Sequence, residues 1–194
     1  MKFLVAGLGN IGQEYEGTRH NMGFAVLDAF ADAYGTAFSE KRYGSIAECS
    51  AKGASFMLLK PSTYMNLSGK AVHYWMAKLK IPLSSLLVVC DDINLPFGTM
   101  RMRSKGSDGG HNGLKDIDLH LLSDEYARMR LGIGNGFAEG HQADYVLSKL
   151  MKEEREKLPD LLGYAVKAID SFAFDGVEKA MSQYNKSYFT VEFR

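Results

Sequence analysis

The 194-residue chain lacks the marks of several large functional classes. It has two cysteines, Cys49 and Cys90. Two thiols make neither a disulfide framework nor a cysteine-cluster metal site, and they point to a reducing, cytoplasmic compartment. Its four prolines, at 61, 82, 96 and 159, form no proline-rich tract, and no repeat or low-complexity segment is visible. The longest apolar runs, such as 86–90, fall short of the roughly 18–20 residues that cross a bilayer. The apolar stretch 3–6 is too short for a secretory signal, so neither membrane insertion nor secretion is expected. Net charge is absent as well, with 23 basic and 23 acidic residues. A nucleic-acid partner therefore needs a local patch, because the global field supplies none. The five histidines (20, 73, 111, 120 and 141) show no H-E-x-x-H or paired-cysteine spacing, so no metal is expected.

Short β-like runs alternate with amphipathic helical windows, which predicts an α/β fold of helices on a sheet. With no linker visible, residues 1–194 read as a single domain. Residues 2–6 read as a buried strand running into Gly7. Residues 22–34 read as a helix with Phe24, Leu27, Ala31 and Tyr34 on one face. Residues 45–49 and 55–59 read as a hairpin turning at Lys52-Gly53. A second helix, 68–80, stops before Pro82. Residues 86–90 form the central strand, ending abruptly at Asp91-Asp92. Residues 99–103 alternate methionine with arginine, a half-exposed strand. A third helix covers 112–122, a further strand 127–133, and the chain from 153 on is helical with a break near 174–176.

Gly7, Gly9 and Gly12 fit the spacing G-x-G-x-x-G after a strand, which raises a nicotinamide-dependent oxidoreductase as a rival reading. The following Q-E-Y-E-G-T-R is polar and has no apolar helical face. The fingerprint needs a helix opening within its glycines, so a tight strand-to-loop turn is the better reading. His20 sits in a polar loop between Arg19 and Asn21, just before a helix. An imidazole, with an ordinary pKa of about 6.5, is suited there to act as a general base. Asp91 ends the central strand, where α/β sheets gather their sites, and a carboxylate there can orient a histidine. Asn66 lies between an apolar strand and a helix; an asparagine amide both donates and accepts, which suits a peptide backbone. The glycine-rich segment 104–113 feeds the N-terminus of a helix, a natural anion site. Residues 99–115 carry Arg101, Arg103, Lys105 and Lys115 against Asp108 alone, so the patch hidden by the neutral total lies here. No G-x-S-x-G elbow or reactive-cysteine motif occurs, which disfavours a covalent intermediate.

The segments G-L-G-N-I-G-Q-E-Y, T-R-H-N-M-G, P-S-T-Y-M-N-L-S-G-K-A-V, D-D-I-N-L-P-F-G, G-G-H-N-G-L-K-D-I and R-M-R-L-G-I-G, in this order over roughly residues 3–150, closely resemble the bacterial-type peptidyl-tRNA hydrolases. The resemblance implies a three-layer sandwich with a twisted mixed sheet surrounded by helices, a monomer, and no cofactor. It implies hydrolysis of the ester between a peptide and the 3′ ribose of tRNA. His20 would be the base and Asp91 its partner. Asn10, Asn66 and Asn112 would hold the peptide and the reacting carbonyl, Tyr15 and Tyr64 would line the cleft, and Arg103 and Arg130 would grip a tRNA phosphate. Ile11, Tyr64, Asn94 and Ser107-Asp108 depart from the family's common pattern. A catalytically silent RNA-binding relative on the same fold is the rival from the binding class.

Overall fold

The computed structural model describes residues 1–188; residues 189–194, the end of the expected 1–194 unit, lie outside the described residues. One eight-stranded sheet organises the chain in the order β2-β3-β4-β1-β5-β7-β6-β8. Its strands are β1 (Lys2–Gly7), β2 (Ser39–Lys41), β3 (Gly44–Ala51), β4 (Ala54–Pro61), β5 (Leu86–Asp92), β6 (Thr99–Arg103), β7 (Ala127–Gly132) and β8 (Lys186–Ser187). The helices are α1 (Met22–Ala33), α2 (Ser68–Leu79), α3 (Asn112–Leu121), α4 (Gln142–Val146), α5 (Lys152–Asp175) and α6 (Val177–Tyr184). Strands β4, β1, β5 and β7 are mutually parallel, whereas β2-β3, β3-β4, β7-β6 and β6-β8 pair antiparallel, so the sheet is mixed.

The central strands are continuous apolar runs because both their faces are covered. The two-residue period of a strand sorts them into two cores. Phe3 and Val5 of β1, with Leu87 and Val89 of β5, pack against the α1, α5 and α6 side. Leu4 and Ala6, with Leu86, Val88 and Cys90, pack against α2 and α3. The result is the expected three-layer sandwich, with the hairpin β3-β4 turning at the expected Lys52-Gly53. Gly176, at φ 94°, separates α5 from α6 where the helical break was read.

Two expectations from periodicity are corrected. The buried face of α1 is Met22, Gly23, Val26, Leu27, Phe30 and Ala31, and Tyr34, just past its end, packs against the same core with its ring stacked on Phe30 at 4.6 Å, whereas Phe24 lies at the border. Phe24 lies near the Lys60 ammonium, 5.7 Å from its ring centroid. The second correction concerns β7. Period two puts Arg128 and Arg130 on one face, which would join Arg101 and Arg103 in one basic surface, but Arg128 is completely buried. Its guanidinium stacks on Tyr126 and donates to the Ser107 and Asp124 carbonyls, so it braces the loop after β6 from below.

Glycine brings α1 against the sheet. A Cβ on Gly23 would lie 2.3 Å from the Leu8 nitrogen and 2.5 Å from the Val89 oxygen, and one on Gly7 would lie 2.3 Å from the Gly23 oxygen. Only at such glycines does the first turn of α1 meet the ends of β1 and β5 this closely. The G-x-G-x-x-G segment therefore serves helix-to-strand approach. No helix opens within it: a short 3₁₀ turn, Gln13–Tyr15, follows, and α1 begins only at Met22. This removes the structural basis of the nicotinamide reading.

Candidate active site

The carboxyl ends of β1, β5 and β7 open into a cavity of about 780 Å³. Asp91, next to last in β5, is 2% exposed and carries the electrostatics of the site. The tight approach of α1 brings the preceding turn, Arg19–Asn21, over it. His20 Nδ1 lies 2.9 Å from both carboxylate oxygens. His111 reaches the same carboxylate from another side, with Nε2 2.9 Å from Oδ1. Burial by itself would raise the Asp91 pKa; the charges of His111 and His20, and then their hydrogen bonds, outweigh it and hold the carboxyl well below the usual range.

The backbone dictates which way these bonds run. His111 is the N-cap of α3, and its Nδ1 accepts from the Gly113 and Leu114 N–H groups at 3.1 and 3.4 Å. An imidazole nitrogen accepting from backbone N–H groups carries no proton, so a neutral His111 is protonated at Nε2 and donates to Asp91. Asp91, ionised, also accepts from His20 Nδ1–H. The neutral His20 ring then has its Nε2 lone pair unprotonated, in a residue that lines the cavity. The ring nitrogens and carboxylate of His20, Asp91 and His111 lie within 4.8 Å of one another, close enough to ligate a metal. The proton on His111 Nε2 occupies the lone pair a metal would need, so the cluster is best described as a hydrogen-bonded relay.

The asparagines gather around it. Asn10 and Asn21 are reciprocally bonded, Asn10 N–H to Asn21 Oδ1 at 2.8 Å and Asn21 Nδ2 to the Asn10 carbonyl at 2.9 Å. Asn10 Oδ1 accepts from the Met65 N–H at 2.7 Å, which turns its amide nitrogen to the ligand side. Asn66 follows Met65 in a 3₁₀ turn, entered through Tyr64 at φ 62°, and Asn112 is the first residue of α3. Asn10, Asn66 and Asn112 all line the cavity with His20, Asp91, His111 and Arg130. Tyr15 and Tyr64, expected to line the cleft, are not among the residues that line this cavity: Tyr15 ends the 3₁₀ turn Gln13–Tyr15 half-buried, and Tyr64 is 52% exposed. Left-handed backbone at Tyr64 carries its ring outward while the next two residues turn in.

Arg130 projects into the cavity wall, donates to the Ser107 carbonyl at 2.5 Å and lies 3.6 Å from Asp92. Its direct neighbour across the antiparallel pair is Arg101, whereas Arg103 is paired with the buried Arg128. Asp108 spends its carboxylate locally, accepting from Gly110 N–H at 2.7 Å, and so shapes the turn that delivers His111. Among the described residues no serine, threonine, cysteine or lysine lines the cavity. The nearby Cys90 is buried beneath Asp91, and burial followed by that carboxylate's charge pushes its thiol far up, away from a thiolate.

Comparison with known proteins decides the family. The family model described as peptidyl-tRNA hydrolase matches residues 4–192. The chain belongs to the peptidyl-tRNA hydrolase family. A Cytophaga hutchinsonii peptidyl-tRNA hydrolase is 55% identical over 185 residues, covering 95% of this chain and 98% of that relative. A Porphyromonas gingivalis peptidyl-tRNA hydrolase is 53% identical over 185 residues, covering 95% and 100%. The crystal structure of the Acinetobacter baumannii peptidyl-tRNA hydrolase is similar at a TM-score of 0.89 and 32% identity, covering 94% of each chain.

In this member of the family His20 is also held from behind. Arg19, its neighbour, is buried and pairs with Glu154 of α5 at 2.8 Å; the side chains are 4% and 0% exposed. The guanidinium also donates to the Ile133 carbonyl and to Ser148 Oγ, both at 3.3 Å, and lies over the Tyr145 ring. Glu154 completes a capping box with the Met151 N–H. The pair thus joins the His20 turn to α4 and to the start of α5. Glu154→Ala would leave a buried guanidinium unpaired and is expected to cost about 3–5 kcal/mol of folding stability. Urea unfolding measures it; a loss below about 1 kcal/mol, as for an exposed pair, would contradict this role.

Proposed function

We propose that this protein hydrolyses the ester joining a peptide, or an N-blocked amino acid, to the 3′ ribose of tRNA. The observation that carries the reading is the His111–Asp91–His20 relay, which aims one imidazole lone pair into a cavity edged by asparagine amides. A water oxygen attacks the ester carbonyl carbon while its proton passes to His20 Nε2. The carbonyl oxygen becomes an oxyanion, stabilised by asparagine N–H donors. The intermediate then collapses, the carbon–oxygen bond to ribose breaks, and the ribose oxygen takes the proton from His20. Peptide acid and tRNA leave. Among the described residues the cavity lining holds no serine or threonine hydroxyl, thiol or lysine amine, which supports direct water attack. Asn10, Asn66 and Asn112 hold the peptide and carbonyl, and Arg103 and Arg130 hold phosphate. Family membership, and the two cysteines free of disulfides among the described residues, support a cytoplasmic monomer. No helix among the described residues is long and apolar enough to cross a membrane.

The test is release of free tRNA from purified N-blocked aminoacyl-tRNA, and no turnover by the folded wild-type protein would end the reading. Two variants divide the substrate. Asn66→Asp exchanges an amide donor for an acceptor, so binding of a peptide-like ligand should weaken while deacylated tRNA affinity holds. Arg103→Ala with Arg130→Ala should raise KM for the tRNA ester and flatten its salt dependence, with a minimal substrate lacking most of the tRNA far less affected. Equal losses on both substrates would remove these arginines from the phosphate grip.

A further inference from the structure

The edge of the sheet opposite the arginines carries a second basic surface. No acidic residue occurs between Glu48 and Asp91, while lysines stand at 52, 60, 70, 78 and 80. Helix α2 lies within this segment, and its outer stripe presents Lys70, Tyr74 and Lys78. The turn between β2 and β3 adds Arg42 and Tyr43, the latter at φ 64°. Trp75 Nε1 pins this turn to α2 by donating to the Arg42 carbonyl at 2.9 Å, and Ser62 N–H donates to the Tyr43 carbonyl at 2.9 Å.

The aromatic rings set the cations in fixed places. Tyr43 meets Tyr74 edge-on at 5.2 Å, and Tyr74 meets Trp75 edge-on at 5.4 Å. Arg42 lies 5.0 and 5.1 Å from the Tyr43 and Tyr74 centroids. Lys70 lies 4.9 Å from Tyr43, and Lys78 lies 4.7 Å from Trp75. Among the described residues no carboxylate comes within 4.0 Å of Arg42, Lys70 or Lys78, whereas Lys60, in the same acid-free segment, is paired with Asp28. The Tyr43 hydroxyl is correspondingly held below its ordinary pKa, first by the hydrogen bond from Arg42, against a smaller effect of burial, and then by the charges of Arg42 and Lys70.

An ordinary solvated face intersperses both signs; among the described residues this one holds three cations on aromatic rings with no carboxylate within 4.0 Å, so its partner is anionic. The surface starts where the cavity ends. Asn66 lines the cavity, Lys70 follows it on the same segment, and the stripe from Lys70 to Lys78 runs about 12 Å along α2. Cations beside aromatic faces suit a nucleic-acid strand, whose phosphates and bases present both complements at once. The tRNA of the proposed substrate is the polyanion delivered to this rim.

We propose that Arg42, Lys70 and Lys78, set by Tyr43, Tyr74 and Trp75, form a second tRNA-backbone contact on the side of the cavity away from Arg103 and Arg130. The inference rests on the peptidyl-tRNA reading. It is tested by binding of deacylated tRNA across a salt series to wild type and to Arg42→Gln/Lys70→Gln/Lys78→Gln. Each phosphate contact contributes about 0.7–0.9 to the slope of log affinity against log salt, so losing three should lower the slope by about 2–3. Arg42→Lys/Lys78→Arg keeps the charges and should retain the wild-type slope, which a loss of local structure would not. An unchanged slope in the triple glutamine variant, with the wild-type melting temperature, overturns the proposal. So does an unchanged tRNA affinity together with lost binding of poly-glutamate, which would make the surface an acidic-peptide site. Hydrolysis by wild type is scored separately: its absence with a normal tRNA slope would fail the catalytic reading and leave the contact standing.

Discussion

His20→Ala is expected to fold normally and to turn over N-blocked aminoacyl-tRNA roughly 10²- to 10⁴-fold more slowly, the range for removal of a general base. In the proposed mechanism His20 meets the water and the transferring proton while the asparagines and arginines hold the substrate, so the effect should fall on kcat. The alanine leaves the His111–Asp91 bond in place, and His20 is a partly exposed residue at the cavity wall, so the fold has little to lose. Single-turnover rates with a melting curve check it. Wild-type turnover by a folded variant would remove His20 from the chemistry. A raised KM at unchanged kcat would make it a binding residue.

Asp91→Asn should cost nearly as much, roughly 10³- to 10⁴-fold in kcat by the logic of a misdirected imidazole tautomer, with KM little changed. Helix α3 fixes which way the relay runs. Two backbone N–H groups hold His111 with its Nε2–H pointing at position 91. An asparagine there must offer its oxygen to that donor, so its NH₂ turns to His20 Nδ1. His20 Nδ1 then accepts, its proton sits on Nε2, and the cavity loses its base. Adding His111→Ala frees the amide to flip, so Asp91→Asn should be markedly less damaging in a His111→Ala background. Full additivity of the two changes would refute the tautomer account.

The same carboxylate has a signature in stability. Its pKa is lowered on folding, so it stabilises the native state above the ordinary carboxylate value of about 3.9. That contribution is lost as pH falls from there through the lowered folded value. Acid unfolding of Asp91→Asn should lack this component and be less steep between about pH 4 and 2.

Much of this was legible in the chain because it depends on neighbours in sequence. The strand β5 is an unbroken apolar run ended by two aspartates, and that pattern alone locates the carboxylate at the end of a buried strand. The alternation in 99–103 likewise places methionines inward and Arg101 and Arg103 outward, as found. The face of α1 was legible in large part: Leu27 and Ala31 are buried and Tyr34, just past the helix, packs against the same core, but Phe24 does not. Glycines 7, 9 and 23 admit the helix at a rotation that buries Val26 and Phe30. The fates of Arg128 and Arg130 diverged because period two assigns a face and says nothing of what covers it; the 104–111 loop touches both, but Tyr126 and the Asp124 carbonyl also enclose Arg128, while Arg130 stays at the cavity wall.

By itself, then, the sequence determined the alternating layers, the breaks between elements, the histidine before a helix, the aspartate after a strand and the family motifs. Each of these is a local pattern, set by side-chain period, backbone freedom or the chemistry of a short segment. Only the tertiary structure decided that His111 shares Asp91 with His20, that Arg19 is paired with Glu154, that Tyr15 and Tyr64 stand outside the cavity, and that α2 meets the β2–β3 turn in a surface of unpaired cations. His20 and Asp91 are 71 residues apart, and Arg19 and Glu154 are 135 apart. No local propensity encodes such pairs. They exist because the sheet's strand order and the packed helices bring distant segments together at the carboxyl ends of the central strands, where burial removes water and leaves charged groups to find partners in each other.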